Sequence, residues 1–387
     1  MEYRTLGASG CAVSELALGT MTFGHETDEA GAHAQLDRFV EAGGTLVDTA
    51  DVYTAGASEE IVGRWLASRP ADVTDRVVLA TKGRFPMGED PNGAGLSRRH
   101  LHRALDASLR RLGVETVDLY QAHAWDPLTP IEETLRFLDD AVRQGKIHYI
   151  GLSNFTGWQL QKTVDVADFR GLARPVTLQP QYSLLSREIE WEITPACASE
   201  GLGLLPWSPL GGGWLTGKYR RDARPAGATR LGENPERGVE AYDRRGGVAR
   251  TWAVVDEVRA VAEERGVSMA QVALAWVRDR PAVTSVILGA RTVEQLGWRG
   301  REERRPGGTE NGRRGAPKAP AAPRASSSGP TCGCRHPPRG RSRPGGRPGS
   351  RSTRPCRARP CACSCRTSVR RSTRRASGRR PRNAGRP

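Results

Sequence analysis

TLVDTADVY, residues 45–53, is a short β-branched, apolar run that stops at an acid, Asp48, and delivers a phenol, Tyr53, five residues later. Two runs of the same kind follow it: VVLATK (77–82) ends on Lys82, and VDLYQAH (117–123) ends on His123. Each leads into a loop and then a helix-like stretch. If the three are parallel neighbours in one barrel, their carboxyl ends open on one face and gather an acid, a phenol, an amine and an imidazole there. That is a proton-transfer site.

The pattern extends in both directions. Strand-like runs are read at LALGTM (16–21), IHYIGLS (147–153), VTLQPQY (176–182), LGLLPWS (202–208) and TSVILG (284–289), after an opening hairpin in YRTLGASGCAVSEL (3–16). Helical spacing lies between them, in Leu36, Phe39 and Val40, in Ile61, Val62, Trp65 and Leu66, and in Leu101, Leu105, Leu109 and Leu112. The last set steps by four, four and three, which lines one helix face. Eight strand–helix units predict an α/β fold, a closed (β/α)8 TIM barrel with an N-terminal β-hairpin. Residues 211–247 are polar and rich in Gly and Arg, and are expected to form a long loop over the active face.

The +16 net charge divides unevenly. Residues 1–296 hold 33 Lys and Arg against 40 Asp and Glu, whereas residues 297–387 hold 26 against three. The first part has the length of one large α/β domain. Of eight cysteines only Cys11 and Cys197 fall in it, which points to thiols and not to a disulfide framework. MEYRTLGASG has no basic or apolar leader pattern, and no run approaches about 18 apolar residues, so a soluble cytoplasmic protein without a membrane segment is expected.

Seven strings in order, DTADVY, LATKG, LYQAHAWD, GLSNF, LQPQYS, WSPLGGGWLTGKY and ILGARTVEQL, resemble the aldo-keto reductases, TIM barrels that reduce carbonyls with NADPH. The resemblance covers about residues 1–296 and implies a catalytic tetrad of Asp48, Tyr53, Lys82 and His123. Hydride delivered to a carbonyl carbon leaves an oxyanion to be protonated, and a phenol with a pKa of about 10 is a slow donor unless its phenolate is stabilised. Lys82 would lower that pKa, Asp48 would keep the amine charged and aimed, and neutral His123 would donate an N–H to the carbonyl oxygen.

The resemblance also implies cofactor contacts. Gly19, Thr20 and Met21 lie at the first strand's end; Ser153, Asn154 and Gln179 match carboxamide ligands, and Trp207 matches the aromatic that stacks on the nicotinamide. Ser208, Leu210, Gly212, Leu215 and Lys218 match the pyrophosphate loop. Gly289, Ala290 and Arg291 match the grip on the 2′-phosphate, with Gln295 on the adenine side, which favours NADPH. Met21, Thr22, Phe23, Trp125 and the 211–247 loop are expected to wall a pocket for an aromatic or polyketide-like carbonyl. The family also resembles the β-subunits of potassium channels, in which a bound nicotinamide reports redox state, so a sensor is the alternative to a catalyst.

Other motifs carry less. GGWLTGK (212–218) satisfies the phosphate-loop spacing but continues to Tyr219 where that loop needs Ser or Thr. His100 and His102 are two apart on a helix and face apart, and no metal site is expected.

From Gly297 the chain is almost wholly Arg, Pro, Gly, Ala, Ser, Thr and Cys, which cannot bury enough surface to offset chain entropy. A disordered tail is expected, with the eighth helix truncated. The abrupt switch to residues with GC-rich codons, mid-helix, is what a reading-frame shift in a GC-rich gene would produce. On that reading a poorly folded, inactive product is a third outcome. Tail runs such as VRRSTRRASGRRPR would adhere to polyanions without specificity, and Cys356, Cys361, Cys363 and Cys365 lack zinc-module spacing.

Overall fold

The computed structural model describes residues 1–296 apart from 228, 235 and 237, and the side chain of 239. The tail from 297, the truncation of the eighth helix and the tail cysteines lie outside the described residues. Strands β1 (Tyr3–Thr5) and β2 (Ala12–Ser14) form the antiparallel hairpin, and the barrel strands are β3 (Leu16–Gly19), β4 (Leu46–Asp48), β5 (Val78–Gly83), β6 (Val117–Ala122), β7 (Ile147–Ser153), β8 (Pro175–Gln179), β9 (Gly203–Leu204) and β10 (Val286–Leu288). All eight run parallel, in the order β10-β3-β4-β5-β6-β7-β8-β9. Four backbone bonds join the two ends: Leu204 N–H to the Ala282 carbonyl at 2.7 Å, Thr284 N–H and Ser285 N–H to the Leu204 carbonyl at 2.9 and 3.4 Å, and Ile287 N–H to the Pro206 carbonyl at 2.9 Å. The cylinder is thereby closed.

Helices α1 (Glu29–Glu41), α2 (Ala57–Ser68), α3 (Ala71–Thr74), α4 (Arg98–Leu112), α5 (Ile131–Arg143), α6 (Gly157–Arg170) and α7 (Ile193–Glu200) follow the first six barrel strands. In α4, Ser97 caps the first turn by accepting the His100 N–H, and Gly113 ends the helix in the left-handed region at φ 68°. Its four leucines are buried in the main core, which also holds Phe39, Trp65, Leu138 and Leu160. Each such side chain contributes about 1.5–3 kcal/mol of burial.

Inside the cylinder a second cluster, Ala17, Leu46, Ala80, Leu119, Leu205 and Ile287, packs with Leu6 and Val13 of the hairpin. The hairpin therefore stoppers the cylinder through its apolar side chains. Because strand side chains alternate, residues two further along face the same interior, one layer nearer the carboxyl ends. Asp48 stands two beyond Leu46, Lys82 two beyond Ala80, and Gln121 two beyond Leu119. Gly151 confirms the layer, since a Cβ there would lie 2.7 Å from both Gln121 Cγ and Thr177 Oγ1.

The 211–247 segment is more ordered than its polar composition implies. It contains α8 (Arg230–Glu233), α9 (Tyr242–Arg245) and 3-10 turns at Gly211–Thr216 and Gly238–Glu240. Trp214, Tyr219, Leu231 and Trp252 form a private core, with Trp214 stacked on Tyr242 at 5.5 Å. Sparse aromatics among Gly and Arg sufficed to pack it, which average polarity conceals. Buried Glu240 clamps it by accepting from Gln181 and Arg245. Two helices, α10 (Ala249–Arg265) and α11 (Met269–Arg278), then separate β9 from β10. No helix among the described residues is long and apolar enough to cross a membrane.

Candidate active site

The carboxyl ends of β4, β5 and β6 bring the expected groups together. Lys82 has no exposed surface, and its Nζ donates to Asp48 Oδ2 at 2.7 Å, to the Thr49 carbonyl at 2.8 Å and to Tyr53 Oη at 3.1 Å. The His123 ring lies 5.9 Å from the Tyr53 ring, edge to face. Register supports the set, because Lys82 pairs with Gln121 across β5 and β6, and Ser153 pairs with Gln179 across β7 and β8.

Two amides complete the shell around Asp48. Its Oδ1 accepts from Gln121 Nε2 at 3.0 Å and from Gln179 Nε2 at 2.9 Å, while its backbone carbonyl accepts the Thr20 N–H at 3.0 Å. Gln121 was not singled out in the sequence, although its place two residues before His123 in an alternating strand marks it as interior. Gln179, matched to a carboxamide ligand, also donates to Gln121 at 3.2 Å.

Electrostatics assign the protonation states. Burial works against the Lys82 ammonium, but Asp48 and Tyr53 outweigh it and raise its pKa, so it stays charged. Burial pushes the Tyr53 phenol above its ordinary range with Lys82 pulling against it. The net direction is opposite to the lowering expected from Lys82, because loss of solvent is the larger effect. Burial, then Lys82 and Arg84, pushes His123 down to about 2, so the imidazole is neutral. Its Nδ1 is buried and has no hydrogen-bond partner among the described residues.

Tyr53 is carried on a strained turn. Thr54 and Ala55 follow it at φ 49° and 53°, left-handed conformations that side chains with a Cβ adopt at a cost, and Thr54 Oγ1 ties the turn to the Phe23 carbonyl at 2.9 Å. Ser58, at the start of α2, joins Thr20 at 2.8 Å and Thr49 at 3.1 Å, fixing the turn to β3 and β4.

A further acid was missed. Asp51 has no exposed surface, and among the described residues no side chain hydrogen-bonds either of its carboxylate oxygens or the buried Tyr120 hydroxyl. Both approach Gly83, where a Cβ would lie 2.3 Å from Tyr120 Oη and 3.4 Å from Asp51 Oδ2. Burial, and then the Glu59 charge, raises Asp51 to about 7.

The remaining matched residues border the same face. Ser153 Oγ donates to the Gln179 carbonyl at 3.0 Å, Asn154 Nδ2 to the His123 carbonyl at 3.0 Å, and Trp207 Nε1 to Asn154 Oδ1 at 3.1 Å. Ser208 adopts φ 55°, and Gly211, Gly212 and Gly213 are left-handed in succession. Leu210 is partly exposed, whereas Leu215 is fully buried. Lys218 has no ion pair among the described residues; burial, then Arg291 and Arg230, lowers its pKa. Arg291 holds Glu26 at 3.2 Å and Glu233 at 2.5 Å, and its N–H donates to Gln295 Oε1 at 2.9 Å. Gly19 and Gly289 end β3 and follow β10, and the Ala290 carbonyl accepts Thr22 Oγ1 at 3.0 Å. Met21 is exposed and Trp125 half-buried, but Phe23 has no exposed surface; it belongs to the main core and presents nothing to an open pocket. His100 is buried and His102 exposed, as their spacing requires.

A family model described as aldo/keto reductase family matches residues 15–297. The chain belongs to that family. An uncharacterised oxidoreductase, YrpG, of Bacillus subtilis is 39% identical over 304 residues, 76% of this chain and 89% of that protein. A probable voltage-gated potassium channel subunit β of rice (Oryza sativa subsp. japonica) is 39% identical over 301 residues, 76% of this chain and 89% of its own. The L-glyceraldehyde 3-phosphate reductase of Escherichia coli is 35% identical over 301 residues, 76% and 86% respectively. This chain is an aldo/keto reductase-type oxidoreductase.

Proposed function

We propose that the chain reduces an aldehyde or ketone to an alcohol with NADPH, Tyr53 supplying the proton. The observation that carries this reading is the Asp48–Lys82–Tyr53 chain of contacts, 2.7 and 3.1 Å, beside a neutral imidazole whose buried nitrogen has no partner among the described residues.

The residues fit a nicotinamide dinucleotide. Ser153, Asn154 and Gln179 offer donors and acceptors for a carboxamide, three left-handed glycines and Lys218 suit a pyrophosphate, and Arg291 suits a 2′-phosphate once Glu233 yields it. When bound, NADPH supplies the hydride for the carbonyl carbon. Tyr53, protonated at neutral pH, gives its proton to the carbonyl oxygen, and Lys82 stabilises the phenolate until solvent restores the proton. Asp48, held by two amides, keeps the ammonium aimed. His123 donates an N–H to the oxygen where charge develops, at no cost of deprotonation.

NADPH oxidation measured over a panel of aldehydes and ketones tests the reading, with Tyr53→Phe as control. Turnover should fall about 10²- to 10⁴-fold in the variant; equal turnover in both chains refutes Tyr53 as the donor. Similarity to the rice channel subunit supports a second reading, a nicotinamide-binding module. Binding of NADPH without turnover on any carbonyl would favour it.

A further inference from the structure

The loop after β5 holds a cation, Arg84, that stands outside the Asp48–Lys82–Tyr53 chain of contacts. The Arg84 guanidinium carbon lies 4.9 Å from the centroid of the Phe85 ring, and Phe85 lies edge-on to His123 with centroids 4.8 Å apart. Its one side-chain hydrogen bond among the described residues is long, Nη2 to the Trp125 carbonyl at 3.3 Å, and its Nε is buried without a partner. Among the described residues no carboxylate forms an ion pair with it, whereas Arg69, Arg111 and Arg245 each hold one. Asp126, whose field it feels, is committed elsewhere: Oδ2 accepts Leu96 N–H at 2.8 Å and Thr129 Oγ1 at 2.6 Å, and Oδ1 accepts Leu128 N–H at 3.0 Å.

A buried N–H donor without an acceptor is costly, and a guanidinium presents a planar fork that matches a carboxylate. The surface between Arg84 and His123 is aromatic. Phe85 spans it, and Trp125 stands beside it, packed at 5.3 Å on Phe155 and 5.4 Å on Trp158. We propose that Arg84 is a specificity-determining residue that holds the carboxylate of an aromatic carbonyl substrate, whose ring lies along Phe85 and Trp125 while its carbonyl meets Tyr53 and His123. The inference rests on the reductase reading for the carbonyl end only.

Two measurements separate the two ideas. In the first, kcat and KM with NADPH are compared for 4-carboxybenzaldehyde and its methyl ester, in the native chain and in Arg84→Met. The acid should be favoured about ten- to a hundredfold in kcat/KM, the range of a hydrogen-bonded charge contact. Arg84→Met should erase that preference through the KM of the acid, with the KM of the ester unchanged. A structural role would depress both substrates alike, and an unchanged acid-to-ester ratio in the variant overturns the proposal. In the second, binding of benzoate and benzamide is followed by tryptophan fluorescence, without any turnover. Benzoate binding lost in Arg84→Met but kept in part by Arg84→Lys supports the grip even if no carbonyl is reduced, in which case only the reductase reading fails. Equal binding of benzoate by all three chains overturns the grip.

Discussion

Replacing Asp51 with Asn should make the protein's stability less sensitive to pH, in a direction that the structure dictates. Asp51 sits behind Lys82 with no solvent contact and, among the described residues, no side chain hydrogen-bonded to either oxygen, facing the charge of Glu59. Its native pKa is raised to about 7 by burial first and Glu59 second, against about 3.9 in an unfolded chain. The native state therefore holds a proton that the unfolded state releases between about pH 4 and pH 7, and stability falls as pH rises through that window. Below it no penalty exists, and above it the penalty reaches about 4 kcal/mol, three units at 1.36 kcal/mol each. Between pH 5 and pH 8 the change attributable to this one group is on the order of 2–3 kcal/mol. Asn cannot ionise, so the variant escapes it. Urea unfolding of both chains at pH 5 and pH 8 provides the comparison, and any fixed cost of fitting an amide appears equally at both and cancels. Asp51→Asn should gain on the order of 2–3 kcal/mol on the native chain over that interval. A difference between the chains that stays constant within about 0.5 kcal/mol would show that Asp51 is ionised or solvated in the folded protein, and the reasoning would fail.

Lys82→Met leaves Asp48 Oδ2 without its ammonium in a site closed to solvent, and should cost about 3–5 kcal/mol in urea unfolding; a loss below about 1 kcal/mol would mean that water enters. Ala55 is exposed and left-handed at φ 53°, so Ala55→Gly should raise stability by about 0.5–1 kcal/mol, read as a higher melting temperature. Gly151→Ala puts a methyl 2.7 Å from Gln121 Cγ and Thr177 Oγ1, and should cost about 1–3 kcal/mol while slowing turnover through the displaced Gln121. Unchanged melting and turnover in that variant would place Gly151 outside the packed layer.

What the sequence determined by itself was periodic or local. Eight short apolar runs alternating with helical stripes are enough to specify parallel strands, and three of them lead at their carboxyl ends to Asp48 and Tyr53, to Lys82 and to His123, so these four were legible from strand endings. The order within 211–247 was not, because four aromatic rings and one buried glutamate pack it across gaps in sequence that no short window spans. Gln121 and Asp51 escaped notice for a related reason: an amide or acid declares itself only when the interior layer shows what lies opposite, Asp48 in one case and in the other the Tyr120 hydroxyl, which has no partner among the described residues. The protonation states belonged to the tertiary structure most of all. A neighbouring lysine alone would have acidified Tyr53, but the charge is felt through a medium from which folding has removed the water, and the desolvation that closure of the barrel imposes outweighs the pairwise attraction that the sequence could suggest.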